Sequence, residues 1–75
     1  MRIVRRVVVN NILSQYQWQT NSFLEALYIV AQKHNITFTS PLYTLQQMVD
    51  VVLQTIDYDT FIKEIKEEMY KWLRQ

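Results

Sequence analysis

The sequence predicts an all-α protein, a compact three- to four-helix bundle, and three observations predict it. Apolar residues recur at three- and four-residue steps through most of the chain, the signature of one buried helix face. Residues that start helices stand just ahead of those stripes. The chain also contains no glycine, on which hairpin-rich folds lean for their tight turns. The competing architecture is mainly α with a small two-stranded ribbon formed by residues 3–9 and 36–39.

The first sixteen residues are ambiguous. Val9, Ile12, Leu13 and Tyr16 are spaced as a helix face, whereas Ile3, Val4, Val7 and Val8 fall on the opposite side. The β-branched density of this stretch also permits a strand. Ile36-Thr37-Phe38-Thr39 alternates in the manner of a partner strand.

The next helix is expected over 22–34. Ser22-Phe23-Leu24-Glu25 fits a capping box, in which serine and glutamate satisfy each other's free backbone N–H groups. Residues 23–31 are apolar nearly all round apart from Glu25, which predicts a central, heavily buried helix. Asn35 is placed to end it in a left-handed conformation, with Ile36 folding back over the last turn.

A third helix is expected over 41–56. Ser40 would be its N-cap and Pro41 its first residue, where a missing N–H costs nothing. Leu42, Leu45, Val49, Val52, Leu53 and Ile56 make its stripe. The last helix is expected over 59–74, capped by Asp57 or Asp59. Phe61, Ile62, Ile65, Met69, Trp72 and Leu73 face inward, and Lys63, Glu64, Lys66, Glu67 and Lys71 face outward. Glu67 and Lys71 stand in the favoured acid-first i,i+4 order.

Seventy-five residues make one domain, 1–75, of the size that buries only about 60% of its unfolded surface. Without cysteine it has no disulfide, thiolate metal site or cysteine nucleophile. Its stability must therefore come from helix packing or from a second subunit. The missing glycine excludes every glycine-rich phosphate loop and leaves turns of positive φ to Asn or Asp. No segment reaches the roughly 18 uninterrupted apolar residues of a membrane span. The composition reads as cytoplasmic, or as released into a host cytosol.

Catalytic and metal constellations are not found. His34 is the sole histidine and reads as a terminal-turn residue. Asp57-x-Asp59 is explained by helix capping, and no Ser or Thr has a triad to join. We expect no enzyme activity, no cofactor, no metal and no small-molecule substrate. Two features stand out instead. Arg2, Arg5 and Arg6 give residues 1–24 a charge of +3, against −3 over residues 25–62. Gln15-Tyr16-Gln17-Trp18-Gln19 alternates large aromatics with amides, either as a lid on the core or as a partner anchor. Tyr43 and Tyr70 lie off the main stripes and would extend an exposed aromatic patch.

The expected function is a small protein–protein interaction or regulatory module that acts by surface binding, as a homodimer or with another protein. Its candidate binding residues are Arg2, Arg5, Arg6, Tyr16, Trp18 and Tyr43. The alternative is a helical nucleic-acid-binding module, helix-turn-helix-like over residues 22–56, with Gln46 and Gln47 available to read bases. Against it, the candidate recognition helix carries no Lys or Arg.

Overall fold

A computed structural model describes residues 7–40 and 42–73, with side chains through Lys71. Among these residues there are four helices and no strand: α1 (Val9–Tyr16), α2 (Thr20–Lys33), α3 (Leu45–Thr55) and α4 (Tyr58–Leu73). The all-α expectation holds. The ribbon does not form over 36–39, although the alternation there is real. Ile36 and Phe38 are half-buried against the core while Thr37 and Thr39 face outward, and no described residue pairs with them as a strand; residues 3–6 of the expected ribbon lie outside the described residues.

The core lies between α2 and α4, closed on one side by α3. Phe23, Leu27 and Val30 of α2 meet Phe61 and Ile65 of α4 and Val49 and Val52 of α3, all fully buried. Phe23 meets Phe61 near the start of both helices, and Lys33 meets Glu68 towards their ends, so the two helices run in the same sense. α1 adds Val9 and Ile12 to this core and packs on α3.

Three helix starts differ from the sequence reading or lack the expected cap. α2 begins at Thr20 rather than Ser22, with Gln19 as N-cap and no side-chain hydrogen bond there, so the Ser22–Glu25 capping box does not form. Trp18 is held between Tyr16 and Phe23, and this fixes where the chain can turn into the helix. α3 begins at Leu45, four residues later than Pro41 would place it. Its cap is Thr44, which accepts from the Gln47 N–H at 3.1 Å while Gln47 Oε1 accepts from the Thr44 N–H at 2.8 Å. Ser40 only closes a local turn, accepting from the Leu42 N–H. Leu42 therefore leaves the predicted stripe and is 85% exposed, and Met48 takes a place in the core that the stripe had not given it. α1 has no side-chain cap on Val8, and its remedy comes from a distant residue. Gln46 Oε1 accepts from the Val9 N–H at 2.8 Å, while its Nε2 donates to the Val7 carbonyl at 2.7 Å and to Asp50 at 3.0 Å.

The predicted caps of α4 and the end of α2 are present. Asp57 accepts from the Thr60 N–H at 2.7 Å. Asn35 adopts φ 57°, and the Ile36 N–H returns to the Ala31 carbonyl while that of Asn35 returns to Gln32, closing a Schellman turn. A second turn of this kind ends α1, where the residue with positive φ is Gln17. The expectation that only Asn or Asp would serve is thus corrected: Trp18, anchored between aromatic rings, holds the chain in a shape that Gln17 must accommodate.

Candidate partner surface

Tyr16 closes α1 and Trp18 follows in the connector, so the left-handed turn at Gln17 folds one back on the other. Their rings stack with centroids 4.5 Å apart and planes 18° from parallel. The column continues through Phe23 at 6.1 Å and ends edge-on against Phe61 at 6.4 Å. Tyr16 and Trp18 are both half-buried against the core, so they lid it. The outer face of the lid is met by α4: Lys66 Nζ lies 4.9 Å from the Tyr16 ring centroid, within cation–π range.

Two shallow cavities flank that contact. One of about 450 Å³ is lined by Tyr16, Tyr58, Asp59, Ile62, Lys63, Lys66, Glu67 and Tyr70. One of about 230 Å³ is lined by Tyr16, Trp18, Lys66, Met69 and Tyr70. Tyr16, Lys66 and Tyr70 belong to both, and Tyr70 is 62% exposed. The larger cavity balances two lysines against two acids, whereas the smaller carries Lys66 alone. Burial raises the Tyr58 phenol above its ordinary pKa, with the neighbouring Tyr16 and Asp59 adding to the effect, so Tyr58 stays a hydrogen-bond donor. Chemically this face offers flat apolar surface, phenolic hydroxyls and the half-buried Lys66 ammonium. That combination is complementary to an apolar or aromatic side chain with a carboxylate beside it.

Comparison of the chain with protein-family models, with curated proteins and with solved structures returned no match.

Of the predicted site residues, the structure brings Tyr16 and Trp18 together and puts Tyr43 elsewhere. Tyr43 sits in a separate cluster, edge-on to Phe38 at 6.2 Å, with Phe38 in turn edge-on to Tyr28 at 5.9 Å. The Tyr43 hydroxyl is 2.9 Å from Thr39 Oγ1, so the residue secures the loop before α3. Arg2, Arg5 and Arg6 lie outside the described residues. Sequence reasoning missed Tyr58 and Lys66, whereas Tyr70, expected to extend an exposed patch with Tyr43, is exposed and joins the Tyr16–Trp18 face instead. Lys66 stands eight residues after Tyr58 and four before Tyr70, and these multiples of four along α4 were the available signal.

The helix-turn-helix geometry expected of residues 22–56 is not adopted. Residues 34–44 separate α2 from α3, in place of a tight turn of three or four residues. The amides of Gln46 and Gln47 are both spent on backbone groups, at the start of α1 and at the cap of α3. No group of His, Asp and Glu among the described residues could hold a metal ion, and no buried side-chain nitrogen or oxygen there lacks a partner.

At the far end of α2, polar bonds tie it to α4. Glu68, only 3% exposed, accepts from Lys33 at 2.8 Å and from Lys71 at 3.2 Å. The Lys33 hydrogen bond lowers the Glu68 pKa, against the opposing pull of burial, and Lys71 adds to the lowering. The same bond raises that of Lys33. Lys71 thus reaches Glu68, three residues back, rather than the predicted Glu67. His34 Nε2 lies 2.7 Å from Glu64 Oε2, a partner that the sequence reading did not give it.

Proposed function

We propose that this protein is a small protein-binding module, and that the face built from Tyr16, Trp18, Lys66 and Tyr70 receives an apolar or aromatic side chain of its partner. The observation that supports the reading is the meeting of the Tyr16–Trp18 lid with Lys66 and Tyr70, which gives adjoining cavities a shared aromatic wall and a cation. Tyr and Trp are enriched at the centres of protein interfaces because they bury large area with few rotatable bonds. The mixed charge around the larger cavity favours a protein segment over a phosphate backbone, which needs a field of one sign.

The test compares partner capture by wild type, Tyr70→Ala, Lys66→Glu and a control change at the exposed Gln54. Tyr70 is mostly solvent-exposed, so its truncation spares the fold. A partner retained by wild type and the control but lost, by tenfold or more, with Tyr70→Ala and Lys66→Glu supports the reading. Equal retention by all four proteins refutes it.

A further inference from the structure

We infer that α1 and α2 can join into one continuous helix, and that this form is the arm of an exchanged homodimer in which α1 of each copy docks on α3 of the other. Residues 9–33 contain neither glycine nor proline, so nothing in the sequence obliges the helix to break. The apolar pattern also keeps its phase across the break. Val9, Tyr16, Phe23 and Val30 follow one another at seven-residue steps. Ile12 and Ala26 stand three residues after members of that series, and Leu13 and Leu27 four residues after. Gln19 and Thr20 interrupt the stripe at the connector, and Lys33 ends it. Two independent helices would have no reason to hold a common register through their connector, whereas a single helix would.

The break also carries two costs, although a Schellman turn closes the end of α1. Gln17 takes φ 57°, a region in which a Cβ is penalised, and Gln19, the N-cap of α2, makes no side-chain hydrogen bond there. In a continuous helix Gln17 has ordinary helical dihedrals, and the first N–H groups of α2 find carbonyls in the last turn of α1. The joined form gives up the Tyr16–Trp18 stack, because residues two apart do not face each other on a helix.

The occupant of the vacated α3 surface is a second copy of this chain. That surface is cut to α1: it receives Val9 and Ile12, and the Gln46 amide matches the backbone N–H of Val9 and carbonyl of Val7 in one two-pronged contact. Exchange remakes all of these between copies, so the contacts that differ are those of the connector, set against the entropy lost when two chains associate. The joined form takes down the Tyr16–Trp18 wall of the α4 groove, so exchange competes with binding at that face, and variants at residue 17 and at Tyr70 tell the failure of one reading from that of the other.

Position 17 provides the test. In the bent form glycine is favoured over alanine by about fivefold, and in a helix alanine is favoured over glycine by about fivefold. The bent-to-continuous equilibrium should therefore differ about 25-fold per chain between Gln17→Ala and Gln17→Gly, and on the order of 600-fold per dimer with two hinges. Sedimentation equilibrium of the full chain from micromolar to millimolar concentration reads this directly. The expected result is dimer formation strongest for Gln17→Ala, nearly as strong for wild type, and weakest by several hundredfold for Gln17→Gly. A urea melt of the dilute monomers should show Gln17→Gly at least as stable as Gln17→Ala, which separates weaker association from failure to fold. Equal association by both variants, or a monomer throughout for Gln17→Ala, overturns the proposal. A dimer weakened by Tyr70→Ala but indifferent to residue 17 overturns it too, by placing the contact on the groove.

Discussion

Replacing Gln46 by methionine should detach the start of α1 from α3. Methionine has the volume and the helix propensity of glutamine and can make neither of the two backbone bonds nor the weaker one to Asp50, so the change removes the clamp with little else. Oε1 holds the Val9 N–H at 2.8 Å and Nε2 holds the Val7 carbonyl at 2.7 Å, in a partly buried position. A hydrogen bond contributes about 0.5–1.5 kcal/mol net, so the pair accounts for about 1–3 kcal/mol. With a urea slope of about 1 kcal/mol/M, the low end expected for so small a domain, the midpoint should fall by about 1–3 M. Gln46→Glu sharpens the case. At neutral pH its carboxylate still accepts from Val9 but turns an acceptor towards the Val7 carbonyl and towards Asp50, the two groups to which Gln46 now donates. It should destabilise at least as much as methionine and recover in part when acid supplies a proton to donate. Urea melts followed by far-UV circular dichroism give the midpoints, and amide exchange at Val9 localises the loss. Gln46→Met within about 0.5 kcal/mol of wild type, or Gln46→Glu as stable as wild type at pH 7, would refute the clamp.

Further changes test the remaining structure. Thr44→Ala should cost about 1 kcal/mol by removing the capping box of α3, while Ser40→Ala should fall within about 0.5 kcal/mol of wild type in the same melts. Leu42→Ser should likewise be near neutral because Leu42 stands 85% exposed, whereas Phe61→Ala should cost about 3–5 kcal/mol and leave the chain largely unfolded by circular dichroism. Glu68→Gln should cost about 1–2 kcal/mol, below the value for a fully buried pair because Lys33 and Lys71 regain water. Folding lowers the Glu68 pKa, so the unfolded chain binds that proton more readily. This stabilisation is complete above the ordinary carboxylate value of 4.5 and is lost as the pH falls through the lower, folded value. The stability advantage of wild type over Glu68→Gln should therefore shrink below about pH 4.5, and a constant difference from pH 7 to pH 3 would show that the ion pair does not titrate with folding.

What the sequence made legible was local. The α4 stripe from Phe61 to Met69, its Asp57 cap and the left-handed Asn35 each depend on residues within one or two turns, and each appears where the spacing puts it, while the side chains of Trp72 and Leu73 lie outside those described. The start of α3 was misread between two adjacent local signals. Ser40-Pro41 and Thr44-x-x-Gln47 both resemble helix starts, and the choice follows from Tyr43, which packs on Phe38 and bonds to Thr39 and so holds the segment before Thr44 against the core. The Gln46 clamp joins residues 37 and 39 apart in sequence, and nothing near Gln46 announces it. The candidate surface divides in the same way. Tyr16 and Trp18 were visible as neighbours in the chain, while Lys66 and Tyr70 join them only because α4 crosses the end of α1. Glu68 looked like any other acid on a charged helix until Lys33 was brought to it from α2.

The pairing of α2 with α4 bears on how the chain must fold. Phe23 and Phe61 are 38 positions apart, Lys33 and Glu68 35, and His34 and Glu64 30, and all of α3 lies in the loop that these contacts close. A nascent α2 finds no adequate partner in its neighbours along the chain: α1 offers only eight residues, and α3 by itself covers little of the α2 face. Isolated helices of this length are marginal in water. The rate-limiting event should thus be the encounter of the first helical half with the last sixteen-residue helix, in a molecule whose secondary structure otherwise suggests rapid, piecemeal assembly.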